Sequence, residues 1–143
     1  MSSRHEAREW AVQLLFEHDF NPNTPEDALS EFWSPRHPTP KGREFAESLY
    51  LGVLNHKADI DRLIQQYADN WDLKRMPAVD RNIMRLAIFE MMHRSDIPPV
   101  VTINEAVDLA KVYGGTDSGR FVNGILDRAR KDIDRPARTA AEE

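Results

Sequence analysis

Residues 77–94, PAVDRNIMRLAIFEMMHR, decide the fold class. Pro77 suits a helix start, where a fixed φ and a missing N–H cost nothing. At about 100° per residue Val79, Ile83 and Leu86 fall on one face, so the spacing predicts a helix to about Arg94. Glu90 lands in the middle of that apolar face, between Ile83 and Leu86, where an unpaired carboxylate is costly. It needs a partner. An arginine or free backbone N–H groups at a neighbouring helix start would make it a structural buried acid, and a residue of another protein is the alternative.

The same period recurs on both sides, and no five-residue stretch alternates as a half-buried strand would. An all-α domain follows. Ser3 with Glu6 forms a capping box ahead of Ala7, Ala11, Leu14 and Leu15, a stripe that Asn21-Pro22 ends. Thr24-Pro25 opens a short helix bearing Ala28, Leu29, Phe32 and Trp33. The proline-dense run 34–40 is a surface connection. From about 41 to 69, Phe45, Leu49, Val53, Ile60, Leu63, Ile64 and Tyr67 keep helical spacing, with a bend expected at Gly52 and Asn55-His56. Pro98-Pro99 and a Thr102–Glu105 capping box start the next helix, which Gly114-Gly115 stops, and Asp117 caps the last. Residues 1–134 are expected to form the domain and 135–143 a disordered tail.

The chain has 143 residues, 41% hydrophobic and 30% charged, with no cysteine. That length supports a core without staples, and the missing cysteines exclude disulfides, thiol nucleophiles and thiolate metal sites. No apolar run is long enough to span a bilayer, and the start lacks a signal peptide's apolar core, so the expected location is cytoplasmic, with no membrane partner. A net charge of -5 disfavours a generic, strongly basic nucleic-acid binder. The distribution is uneven: residues 17–34 hold five acids and no Lys or Arg, and residues 120–138 hold six bases and three acids. One end is suited to an anion.

Enzyme chemistry finds little support. Residues 114–121, GGTDSGRF, come near a phosphate-cradling loop, but Phe121 stands where Ser or Thr would hold magnesium, Arg120 replaces the lysine, and no strand precedes them. The five histidines lack the close spacings of metal ligands on one helix face, and Ser118 has no nucleophile-elbow context. No catalytic residue, metal or cofactor is assigned.

The last helix offers a different chemistry. Its apolar arc centres on Val122, Ile125 and Ala129, which leaves Phe121 at the edge of the arc and in the first turn. Arg128 flanks the ring on the helical wheel, with Arg120 and Lys131 further round. An aromatic beside guanidinium groups suits a stacked single-stranded base with its phosphate held nearby, and ordinary core packing is the alternative. Arg4 and Arg8 form a second cationic pair at i and i+4, which by spacing alone reads as a solvated face paired with Glu6 and Glu9.

Several stretches together resemble one family: Arg4-His5-Glu6-Ala7-Arg8-Glu9, Val79-Asp80-Arg81 running into Arg85-Leu86-Ala87-Ile88-Phe89-Glu90, Ile103-Asn104-Glu105-Ala106-Val107 with Ala110-Lys111, and Phe121-Val122-Asn123-Gly124-Ile125-Leu126-Asp127 after Asp117-Ser118. Over about residues 3–134 the chain resembles the NusB family of transcription antitermination factors. The resemblance implies two three-helix bundles packed across each other, and a non-enzymatic protein that binds boxA RNA of ribosomal RNA leaders with NusE, a ribosomal small-subunit protein. The complex then acts on elongating RNA polymerase. RNA contact is implied for Arg4, His5 and Arg8 and for Asp117, Ser118, Arg120 and Phe121, and NusE contact for Tyr67 and Asp80. Glu90 matches a family acid and keeps its structural reading. The opening has two arginines with acids between them rather than a dense basic run, which shifts RNA affinity toward the partner. Two other classes remain: a detached domain of an rRNA cytosine methyltransferase system, and a homodimer whose interface masks the RNA surface.

Overall fold

The computed structural model describes residues 3–68 and 71–133, for Ser3 the backbone alone. The sequence-predicted Ser3 cap and the tail at 135–143 therefore lie outside what is described. Among the described residues five helices form: α1 (Ser3–Phe20), α2 (Pro25–Trp33), α3 (Pro40–Tyr67), α4 (Ala78–His93) and α5 (Pro99–Ile133), with a 3-10 turn at Leu73–Arg75 before α4. The fold is all-α, with no strand among the described residues. None of these helices is long and apolar enough to cross a membrane.

Local chemistry sets most of the boundaries. Thr24 and Thr39 cap α2 and α3 by accepting from the N–H groups of Asp27 and Gly42, and a proline follows each cap. α3 kinks at His56, where φ is -120° and ψ 17°. Gly52 has a different task from the expected bend, because a Cβ there would sit 2.1 Å from the Phe89 ring. It lets α3 and α4 approach closely. α5 breaks at Gly115, whose φ of 85° lies in the left-handed region that favours glycine.

Two groups of helical segments share α3. In one, Trp10 of α1 meets Trp33 of α2 edge-on at 5.2 Å, and His18 of α1 lies against Tyr50 of α3. In the other, the C-terminal part of α3 packs with α4 and α5, and both Gln66 and Tyr67 donate to Asp132. Polar side chains join the groups where α1 crosses α4. Asp19 accepts from Arg81 and Asn82, each at 2.9 Å, and Arg85 reaches both Asp19 at 3.2 Å and Asp61 of α3 at 2.7 Å. With each charge answered, this network fixes the crossing without leaving a buried ion unpaired.

Candidate nucleic-acid interface

The N-terminal arginines separate. Arg4 is partly exposed, lies 4.6 Å over the Phe45 ring, and donates to Asp96 at 3.2 Å. Hydrogen bonds from Arg94 first, and from Arg4 with them, hold the Asp96 carboxyl at about 2. His5 shares a hydrogen bond of 2.7 Å with Glu105 and stands 3.4 Å from Glu9, and the Glu105 bond raises its pKa above the ordinary histidine value.

Arg8 corrects both expectations made for it. It is 3% exposed, neither solvated nor open to phosphate, and its Nε and Nη2 donate to the two Glu90 oxygens at 2.8 Å each. Glu90 is fully buried and also accepts from Thr102 Oγ1 at 3.0 Å. That bond explains a second correction. The expected Thr102–Glu105 cap is absent because α5 begins three residues earlier, at Pro99, which places Thr102 inside the helix. Burial alone would lower the Arg8 pKa, but the bonds and charge of Glu90 raise it overall.

Asp80 is buried too, at 4% exposure, against the expectation of an accessible partner contact. It sits under α5 and accepts from Ser118 Oγ at 3.1 Å. Burial pushes its carboxyl up, and the Ser118 bond offsets this only in part. Two residues expected on different surfaces thus share one hydrogen bond. Gly114 permits the approach, since a Cβ there would lie 2.1 Å from Ser118 Oγ. Beside Asp80, Val79 lines an open apolar groove with Phe16 and Tyr113. Asp117 does not cap: its side chain is 99% exposed, 3.9 Å from Arg120.

Phe121 is half-buried, its ring packed on the core yet reachable from solvent. The Trp71 ring meets it near-perpendicularly, 66° between planes and 6.0 Å between centroids. Tyr67 lies on this same side of the molecule, bonded through its hydroxyl to Asp132, which stands eleven residues and about three turns after Phe121 on α5. Trp71 was missed in the sequence; the available signal was a large aromatic between Asn70 and Asp72, outside any apolar stripe. Among the described residues no three His, Asp or Glu side chains gather as metal ligands would. The arrangement is a polar and aromatic surface on a rigid helical frame.

A family profile described as NusB family matches residues 5–131. A transcription antitermination protein NusB from Desulforamulus reducens is 46% identical over 134 residues, 94% of each chain. The solved structure of T. maritima NusB matches with a TM-score of 0.83 and 38% identity, covering 96% of this chain and 93% of that one. A crystal structure of antitermination factors NusB and NusE in complex with dsRNA matches with a TM-score of 0.83 and 27% identity, over 92% of this chain and 98% of that one. Profile, identity and helical frame agree over nearly the whole length, and the chain belongs to the NusB family.

Proposed function

We propose that this chain is a non-enzymatic transcription antitermination factor of the cytoplasm that binds boxA-type single-stranded RNA together with NusE, and through that complex acts on elongating RNA polymerase. The observation that carries the reading is Phe121, a ring anchored in the core and open at one side, with Arg120 beside it on α5. A flat ring offers a base its π-face, and a guanidinium close by takes the phosphate. Arg4, its head partly in water beside Asp96, and His5 next to it offer a second phosphate contact beyond the far end of α4 from Ser118 and Phe121. A 16-residue α4 measures about 24 Å, which a strand of several nucleotides spans. Arg8 serves this surface indirectly by tying α1 to Glu90. For the protein partner, the apolar groove at Phe16, Val79 and Tyr113 supports a contact close to Asp80 rather than at its carboxylate.

The test is binding of a boxA-type RNA and of a scrambled control, each with and without NusE. Tighter binding of the boxA strand, strengthened by NusE, is expected. Equal affinity for both strands under both conditions would overturn the reading.

A further inference from the structure

We propose that Trp71 is a second base-stacking surface, adjoining Phe121, for unpaired nucleotides of the bound RNA. This rests on the RNA-binding reading above and extends it to a residue outside the family motifs quoted for this chain. Trp71 is 54% exposed, unlike Trp33, which is buried. Its backbone is nevertheless pinned. The Gln65 side chain spans the connection, with Nε2 donating to the Trp71 carbonyl at 2.6 Å and Oε1 accepting from Leu73 N–H at 2.8 Å. Trp71 N–H donates to the Ala68 carbonyl at 2.9 Å, and Asp72 caps the following turn through Lys74 N–H at 3.1 Å. A ring whose backbone is held in this way has less freedom to lose when a base settles on it.

The geometry selects the occupant. Rings meeting edge to face leave π-surface uncovered on both sides of the corner between them. Bases splayed from a single strand fit such a corner, whereas paired bases keep their faces stacked inside a helix. Exposed Lys74 and Arg75 follow on the Trp71 side and exposed Arg120 precedes Phe121 on the other. Cations this close in sequence to the two rings suit the phosphates of a strand stacked there better than an apolar protein segment.

Tryptophan emission gives a direct readout in the full chain bound to NusE, because Trp10 and Trp33 pack against each other away from this corner. Adding a boxA-type oligonucleotide should quench emission, and the quench should vanish in Trp71→Phe while affinity stays within about threefold. Trp71→Leu, which lacks a π-face, should bind about tenfold more weakly, within the range of one lost stack, with unchanged melting. A fully paired duplex of the same sequence should give no quench. Normal RNA affinity without quenching in the wild-type chain, or full affinity in Trp71→Leu, would remove Trp71 from the RNA surface. Loss of NusE binding with RNA binding by the isolated chain intact would assign the ring to the protein partner and overturn the proposal. Absence of RNA binding by the wild-type complex would instead bring down the parent reading, and this one with it.

Discussion

The Arg8 guanidinium and the Glu90 carboxylate meet prong to prong, with two bonds of 2.8 Å between α1 and α4. Both groups are buried, and each is the other's near counter-charge, with Glu105 farther from Arg8 at 3.9 Å. Removing Arg8 leaves Glu90 with the Thr102 hydroxyl and no cation, and removing Glu90 leaves Arg8 with the more distant Glu105, at a cost of roughly 3–5 kcal/mol. Glu90→Ala and Arg8→Ala should each lower stability by about that amount in denaturant unfolding, and RNA binding should fall only as folding does. Arg8→Met combined with Glu90→Leu should recover much of the loss, because two apolar side chains need no partner. Normal melting of Arg8→Ala with weakened RNA binding would return Arg8 to the RNA surface.

Arg4 behaves differently because its head remains partly in water. Arg4→Ala should leave melting nearly unchanged, as expected for an exposed pair with Asp96. If Arg4 meets one phosphate, the slope of log affinity against log salt should flatten by about 0.7 for a single strand, whichever RNA sequence is used. An unaltered slope removes Arg4 from the interface.

Asp80 makes a pH-dependent prediction. Its folded carboxyl is raised above the ordinary 3.8, chiefly by burial. The folded state then holds the proton more tightly than the unfolded chain, so the associated stability is present below the unfolded pKa and is lost as pH rises through the folded one. Asp80→Asn keeps an acceptor for Ser118 and carries no charge to bury. Its stability relative to wild type should therefore increase as pH climbs from about 4 toward neutrality, where it should melt no lower than wild type. A variant that loses stability at neutral pH would show that the carboxylate charge is satisfied in the fold.

Phe121→Leu tests stacking against packing. Leucine preserves most of the apolar volume that rests on the core and removes the π-face. Melting should stay close to wild type while RNA affinity drops about tenfold, the equivalent of 1.4 kcal/mol. Reduced melting with intact RNA affinity assigns the ring to the core.

What the amino-acid sequence determined by itself is what repeats or interrupts locally. Helical spacing marks α1 to α5, and the prolines and threonine caps at 24–25 and 39–40 set where α2 and α3 begin. Gly115 breaks α5 because few residues other than glycine adopt its φ. The position of Glu90 on an apolar face is equally a matter of counting at 3.6 residues per turn. Which side chain answers it is not, since Arg8 lies 82 positions away and is brought there by the crossing of α1 over α4. By spacing alone Arg8 pairs with its own neighbours, Glu6 and Glu9. The burial of Asp80 under Ser118, 38 positions distant, and the meeting of Trp71 with Phe121 have the same origin. Helix periodicity tells which face of one helix is apolar, but only packing decides which neighbour covers its edges. Polar and aromatic residues on those edges therefore became scaffold or surface only in the tertiary structure.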